Sequence, residues 1–216
     1  MIILALDTAL NAVSVAVLDG DRALAAVSHP MERGHQERLA GVVRDAMKQA
    51  GIGFDALDRI GVTVGPGSFT GLRVGLAFAK GLGLALTVPV VGVGTLAALA
   101  ASIDAFDVTA AVIDARRGQV YLQIFDRVGA LTPPEALSLE DGLARIAPYE
   151  ARAITLVGSG ASLLQPSGGS LSPTILLDPV ALARLTAQAA APIGGPLPLY
   201  LRAPDAKTIA ERAAAQ

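Results

Sequence analysis

The stretch GPGSFTGLRVGLAFAKGLG, from Gly65 to Gly83, decides how the rest of the chain is interpreted. It follows an apolar strand, turns at Gly-Pro-Gly, and enters a helix that is apolar on nearly every face. Residues four apart form a ridge on a helix, and a ridge of small residues lets another backbone approach closely. The pattern predicts a helix that packs either in this chain's own core alone or also against another subunit. This small-residue ridge consists of Gly71, Gly75, Ala79 and Gly83.

The Gly-Pro-Gly turn itself allows two interpretations. A helix N-terminus that follows glycines can bind a phosphate. However, no Gly-Lys-Ser/Thr follows at the spacing of a Walker loop, and Lys80 lies well inside the helix. We therefore interpret Gly65 and Gly67 as a tight turn from strand to helix, with Ser68 or Thr70 as the N-cap.

The composition narrows the class of protein. The chain has 216 residues, with 17 Lys and Arg against 19 Asp and Glu, and no cysteine. No basic patch is visible, which disfavours strong RNA or DNA binding by this chain alone. The uncharged run from Gly81 to Ile103 is long enough to span a membrane, but Thr87 and Pro89 interrupt it. Because the N-terminus also lacks a signal-peptide pattern, we expect a cytoplasmic α/β protein without a membrane span.

The order of the predicted elements repeats along the chain. Each half opens with an apolar strand that ends in an aspartate, Asp7 or Asp114, and a second strand ends in another aspartate twelve positions later. Farther along, IGVTVGPG at 60–67 has a counterpart in AITLVGSG at 153–160. Such long-range similarity indicates an internal duplication. We predict two α/β lobes with mixed sheets flanked by helices, at residues 1–104 and 105–216.

Apolar periodicity predicts a helix ahead of the opening stretch, at Leu39–Ala50, and Gly51 ends it. Its apolar side contains Leu39, Val42, Val43 and Ala46. Other segments are assigned with less detail. They are helices at Thr70–Leu86, Thr95–Ser102 and Val180–Ala191, a loop at Ser167–Ser170, and an alanine-rich C-terminal stretch that is expected to fray.

This plan, with two lobes that each open with a strand–Asp–strand hairpin, resembles that of the actin, sugar kinase and Hsp70 superfamily. The fold of that superfamily is called the ASKHA or ribonuclease H-like fold. In that superfamily the acid after the first strand coordinates the magnesium of a nucleotide, and a glycine-rich turn cradles a phosphate. Asp7 occupies this acid's position, but the following TALNAV contains no glycine that would let the backbone approach a phosphate. We interpret Asp7 as a vestigial nucleotide-site position with a structural role in the turn.

The sequence gives little support for a metal site or for a catalytic nucleophile. A metal site needs convergent ligands, and His35 has Glu32 and Glu37 near it but no second histidine at i+4. We expect His35 to lie at the surface before a helix. Ser68 is not in a G-x-S-x-G elbow, and no base can be assigned to it. We predict no catalytic residue, no metal and no cofactor.

Several motifs together resemble the TsaB family, also called YeaZ, over essentially the whole chain. The most specific pair is GPGSFTGLR followed by DAR-x-G-x-VY. The motifs are, in chain order, ILALDTALNAVSVAVLDGD, GPGSFTGLRVGLAFAKGLGLAL, PVVGVGTLAALA, DARRGQVYLQIF and PLPLYLR.

The resemblance implies a non-catalytic accessory subunit of the bacterial machinery that makes threonylcarbamoyladenosine in tRNA. The implied partners are the transferase TsaD and the ATPase TsaE, with tRNA reached only through the complex and a homodimer formed through the TsaD surface. In the family that surface is a bundle of the first two helices of the N-terminal lobe. We assign to it Leu39, Val42, Val43, Ala46, Gly71, Gly75, Ala79 and Gly83.

An alternative is an enzyme on the same duplicated fold, either nucleotide-dependent or a glycoprotease-like peptidase. TsaD-type proteins bind a metal through a pair of histidines at helical spacing. The corresponding helix here has only His35, in GHQERLAG, which puts a metal or transferase role in doubt.

Overall fold

Each half of the chain forms a five-stranded mixed sheet in the computed structural model, which describes residues 1–104, 107–164, 168–191 and 193–202. The strand order is β3-β2-β1-β4-β5 in the first sheet and β10-β9-β6-β7-β8 in the second. The first sheet contains β1 (Ile2–Asp7), β2 (Ala12–Asp19), β3 (Arg22–Pro30), β4 (Arg59–Gly65) and β5 (Val90–Gly94). The second contains β6 (Val108–Arg116), β7 (Gln119–Phe125), β8 (Glu135–Ser138), β9 (Ile154–Val157) and β10 (Ser170–Leu171).

The two sheets have the same topology. In the first, β1, β2 and β3 form an antiparallel meander, and β4 and β5 run parallel to β1. In the second, β6, β7 and β8 form the meander, and β9 and β10 run parallel to β6. The predicted duplication into two mixed sheets is therefore confirmed.

The α-helices are α1 (His35–Ala50), α2 (Phe69–Leu86), α3 (Thr95–Ala100), α4 (Leu139–Ile146) and α5 (Pro179–Gln188). Every predicted helix is present, and α1 ends at Gly51 in the left-handed conformation. Strand β8 and helix α4 were not predicted, and Ser170 starts β10 although a loop was predicted there. Part of that loop, and the alanine-rich C-terminal stretch, lie outside the described residues.

The faces of β1 show how the core is divided. Leu4 and Leu6 point to one face, where α1 and α2 pack, and Ile3 and Ala5 point to the other. On that other face, Leu182 of α5 belongs to a core that also includes residues of the second sheet. Helix α3 contacts both sheets. The two lobes therefore share this core, and each lobe also has a core of its own.

Helix α5 comes from the second half of the chain but packs on the first sheet. Gly61 of β4 allows this close contact, because a Cβ there would collide with Thr186. Arg59 donates hydrogen bonds to the carbonyl oxygens of Thr186, Ala187 and Ala189, at 2.9, 3.3 and 2.7 Å. A guanidinium at a helix C-terminus satisfies its last carbonyls and favours its dipole. The division at residue 104 thus separates the strands of the two sheets. We retain it as the proposed boundary between the two lobes.

Helix α2 is long and apolar enough to cross a membrane by length and composition alone, with a mean hydropathy of 1.3. A core helix passes the same test, and the small-residue ridge of α2 packs on the first sheet. Ser68 caps its N-terminus by accepting a hydrogen bond from the Gly71 N–H at 3.2 Å, as predicted.

Candidate interaction surface and interlobe cleft

The small-residue ridge of α2 faces the chain's own strands. A Cβ on Gly71 would collide with the carbonyl oxygen of Thr8, and a Cβ on Gly75 would lie 2.5 Å from Thr8 Oγ1. A Cβ on Gly83 would collide with Val90, and Ala79 is fully buried. The ridge lets α2 approach the β1–β2 turn and β5 more closely than larger residues would permit.

All the residues that were assigned to a partner interface are buried within this chain. Leu39, Val42, Val43 and Ala46 pack under α1 in the same core that includes Ala79. Apolar periodicity identifies these residues, but it does not distinguish packing on a sheet from packing on a partner. A partner that binds α1 and α2 would contact the opposite sides of these helices.

The opposite side of α2 is exposed and nearly uncharged. We call it the outer face of α2. Leu84 is 85% exposed, and no atom lies within 4 Å of where a Cβ on Gly81 would be. A sequence pattern could have predicted this face, because a second row of residues four apart lies next to the ridge. The outer face consists of Arg73, Ala77, Gly81, Leu84 and Ala85.

Asp7 lies at the end of β1 and is 0% exposed. Its Oδ1 accepts hydrogen bonds from the Thr63 hydroxyl at 2.6 Å and from the Ala9 N–H at 2.9 Å. Its Oδ2 is buried and has no hydrogen-bond partner among the described residues. Burial raises the pKa of Asp7, although the hydrogen bonds from Thr63 and Ala9 oppose the shift. These contacts favour a structural role for this carboxyl group.

The polar groups of the β1–β2 turn are engaged by neighbouring elements. The Ala9 carbonyl accepts from the Ser68 N–H at 2.8 Å, and the Asn11 carbonyl accepts from the Met31 N–H at 2.9 Å. The Thr8 hydroxyl donates to the Gly71 carbonyl at 2.7 Å. The N-terminus of α2 therefore lies directly against the turn that would have to cradle a phosphate.

His35 is 8% exposed, so the prediction of a surface histidine is wrong. Its Nε2 lies 3.2 Å from the Leu10 carbonyl oxygen, within hydrogen-bond distance. The charged residues around it in sequence suggested exposure, but the first residue of α1 points inward to the β1–β2 turn. The described residues contain no group of three His, Asp or Glu side chains that could hold a metal ion.

A cleft of about 710 Å³ lies between the lobes. Asp114, the counterpart of Asp7, lines it with a side chain that is 27% exposed. Asp114 accepts the Arg116 N–H at 2.7 Å and lies 3.4 Å from the Arg116 guanidinium. Other residues that line the cleft include Asn11, Ser68, Phe69, Ser159, Ile175 and Arg202.

Comparison with known proteins places this arrangement in a family. A family model described as TsaD, tRNA N6-adenosine threonylcarbamoyltransferase, matches residues 27–151. A Bacillus subtilis protein named tRNA threonylcarbamoyladenosine biosynthesis protein TsaB is 32% identical over 76% of this chain and 73% of its own length. The chain belongs to the TsaB family. The Escherichia coli TsaB is 36% identical over 59% of this chain, and the match spans 56% of that relative's length.

Solved structures of the TsaB family have the same architecture. YeaZ from Pseudomonas aeruginosa superposes with a TM-score of 0.79 at 31% identity, covering 93% of this chain and 99% of that one. A second P. aeruginosa structure, described as similar to peptidase YeaZ, gives 0.82 at 32% identity with the same coverage. The fold is that of the actin-like ATPases. An activator of 2-hydroxyisocaproyl-CoA dehydratase from Clostridium difficile shares the fold alone, at 10% identity and a TM-score of 0.51 over 87% of this chain and 93% of that one.

One TsaB-family motif, PLPLYLR, was left without a role by the sequence analysis. It forms Pro196–Arg202, which we call the strap, and part of it lines the interlobe cleft. Leu199 donates its N–H to the Val64 carbonyl at 2.7 Å, and Arg202 donates to the Ala115 carbonyl at 2.9 Å. Short-range patterns do not reveal such contacts, because the strap is far from its partners in sequence.

Proposed function

We propose that this chain is a non-catalytic scaffold subunit in the cytoplasm that binds and activates a TsaD-like transferase in tRNA threonylcarbamoyladenosine biosynthesis. The process is taken from the name of the TsaB relatives. The link to TsaD is supported by the family model that matches residues 27–151. The observation that carries the binding role is the exposed, apolar outer face of α2.

The chemistry of the outer face of α2 suits another helix. Ala77, Gly81 and Ala85 lie four apart and are all exposed, so a second helix backbone can come close along this row. Leu84 beside them offers an apolar side chain that is almost entirely in solvent. Contiguous exposed apolar surface of this kind marks an interaction site. A homodimer through the same surface is part of the proposal.

The β1–β2 turn supports the non-catalytic part of the proposal. Its Ala9 and Asn11 carbonyls are bonded to backbone N–H groups, and the Ala9 N–H is bonded to Asp7. A phosphate cradle needs free backbone N–H groups and room for the ligand. We further propose that a TsaE-like ATPase joins the complex and that tRNA is contacted mainly by the partners, because this chain's charge is balanced.

The binding role is tested by placing charge on the outer face of α2. Ala77→Glu and Gly81→Glu, each in the full chain, should weaken binding to a TsaD-like partner at least about tenfold, because the contact would bury an unpaired carboxylate. The matched control is Ala144→Glu, at an exposed position of α4 in the other lobe. Titration calorimetry gives the affinities, and circular dichroism establishes that each variant is folded. Unchanged affinity in the folded α2 variants would contradict the assignment of the outer face of α2 as the binding surface.

An assay of the isolated chain separates the scaffold from the alternative, a nucleotide-dependent enzyme or a peptidase. We expect no ATP turnover and no peptidase activity from the chain alone, and transferase activity only when the TsaD-like partner is added. ATP hydrolysis by the isolated chain that disappears in Asp7→Ala would contradict the proposal.

A further inference from the structure

We propose that the strap, Pro196–Arg202, is a built-in brace that holds the two lobes in one relative orientation across the interlobe cleft. It reaches both lobes within a few residues. The proposal depends on three sets of contacts: with β4 and β5, with the start of α2, and with the β6–β7 hairpin of the second lobe.

The first contact is with the parallel strands β4 and β5 of the first lobe. The Leu199 N–H donates to the Val64 carbonyl at 2.7 Å. Two glycines make room for the strap. A Cβ on Gly65 would lie 2.7 Å from the Leu199 carbonyl oxygen, and a Cβ on Gly92 would lie 2.7 Å from Pro196 Cβ. These distances are shorter than van der Waals contact, so the close approach depends on glycine at the end of β4 and in the middle of β5.

The second contact joins the strap to the start of α2. The rings of Phe69 and Tyr200 lie 5.2 Å apart between centroids. The guanidinium of Arg73 lies 3.8 Å above the Phe69 ring, and its Nε donates to the Tyr200 hydroxyl at 3.3 Å. Aromatic and cation–π contacts of this geometry are attractive beyond the area that they bury. They hold Tyr200, which lines the cleft, against the start of α2.

The third contact is with the second lobe. Arg202 donates to the Ala115 carbonyl at 2.9 Å and to Gln119 Oε1 at 3.3 Å. Ala115 and Gln119 flank the turn between β6 and β7. A hydrogen bond from a charged group is stronger than one between neutral groups. Leu199 and Arg202, three positions apart, thus bond to different lobes.

A second connection between the lobes explains why the strap acts as a brace. The shared core around α3 and α5 joins the two sheets. Lobes that are joined on one side of a cleft can open and close about that connection. The strap adds a connection at the cleft itself, since Tyr200 and Arg202 line it. With both connections in place, opening the cleft requires the strap contacts to break.

The absence of cysteine from the chain makes a direct measurement straightforward. Asp21→Cys in the β2–β3 turn and Val128→Cys in the loop after β7 place one label on each lobe at exposed positions. Pulsed electron paramagnetic resonance between spin labels then reports the distribution of distances between the lobes. We expect one narrow distribution for the otherwise unchanged full chain.

The strap is then broken in the labelled full chain. Leu199→Pro removes the N–H that bonds to Val64, and Arg202→Ala removes the contact with the second lobe. Together they should at least double the width of the distance distribution. The matched control combines Leu197→Ala, at an exposed strap position, with Arg184→Ala, at an exposed position of α5. It should keep the narrow distribution.

An unchanged distribution in a folded double variant, judged by circular dichroism, would overturn the proposal. If the double variant does not fold, Arg202→Ala alone decides, because it leaves the Leu199 contact intact. It should also broaden the distribution, and an unchanged width would again overturn the proposal. No partner protein is needed, so this outcome is independent of the proposed scaffold function.

Discussion

The two lobes have the same strand order but different surfaces. After β4 the first lobe continues into α2, of 18 residues, whereas the residues described between β9 and β10 form a 3₁₀ turn at Ala161–Leu163. The helix after the meander also differs, with 16 residues in α1 and 8 in α4. The sheet is therefore the conserved part of the duplicated plan, and the helical surface belongs to the first lobe.

The glycine turn is common to both lobes, and this shows what it does. Gly65 and Gly158 have φ angles of 112° and 110°, in a region that L side chains rarely adopt. A Cβ on Gly67 would lie 2.5 Å from the Ala9 carbonyl oxygen, and one on Gly160 would lie 2.9 Å from the Asp114 nitrogen. In each lobe the second glycine lets the turn approach the end of the first strand. The motif therefore has a structural role in both lobes.

The two aspartates at corresponding strand ends are in different environments. Asp7 is buried and bonded to Thr63 of β4 and to Ala9 of the β1–β2 turn, whereas Asp114 lines the cleft and pairs with Arg116. The two aspartates therefore hold the same position in the duplicated plan but differ in burial and in their partners.

The largest expected effect is a difference in folding stability between substitutions on the two sides of α2. Gly75→Leu should destabilise the chain by about 3 kcal/mol or more, because its side chain would overlap Thr8 and the core cannot expand to fit it. Gly81→Leu, on the outer face, should be neutral or stabilise by up to about 1 kcal/mol, since leucine favours the helix. Urea unfolding measures both. Similar losses of folding stability in the two variants would mean that the ridge does not face the sheet.

The next effect tests whether the glycine turns are equivalent. Gly65→Ala and Gly158→Ala should each cost about 2 to 3 kcal/mol, because alanine is strained at these φ angles and its Cβ meets a carbonyl oxygen. Thermal unfolding gives both values. A loss confined to the first lobe's glycine would argue against a common structural role. Gly118→Ala, with a φ of 70° but no atom within 4 Å of its Cβ, controls for strain alone.

A smaller effect concerns the helix that crosses between the halves. Arg59→Ala should cost about 2 kcal/mol, because three carbonyl groups at the end of α5 lose a charged donor. Arg44→Ala, on the exposed side of α1, is the control and should change stability by less than about 0.5 kcal/mol. Hydrogen exchange should show earlier opening of α5 in Arg59→Ala, and equal protection in both variants would contradict this role.

The smallest effect is a pH dependence that distinguishes the two aspartates. Burial raises the pKa of Asp7, so the folded state holds its proton more tightly than the unfolded state does. The stability from this group is complete below the ordinary aspartate pKa of about 3.9 and is lost as the pH rises through the raised value. Asp7→Asn should remove this part of the pH dependence, whereas Asp114→Asn should leave it. Urea unfolding between acidic and neutral pH measures the change, and an unaltered profile in Asp7→Asn would exclude the assignment.

The sequence predicted most of the fold because its strands are short apolar runs ended by Asp or Gly, as at Asp7 and Gly65. It did not predict α4, although the start of this helix has a local signal: Ser138 is the N-cap and accepts a hydrogen bond from the Asp141 N–H at 3.0 Å. For the candidate site, periodicity located α2 but could not determine which row of small residues faces the sheet. His35 was misplaced because burial of a polar residue depends on a carbonyl oxygen far away in sequence.

The position of α5 has a consequence for how the chain is made. The face of the first sheet that contains Ile3 and Ala5 is covered by a helix at residues 179–188, close to the end of the described chain. During synthesis, the first half leaves the ribosome well before α5. Its apolar face is therefore exposed to water or bound by chaperones until α5 packs on it. The first sheet therefore acquires its full core only after α5, which follows the strands of both sheets in the chain, has left the ribosome.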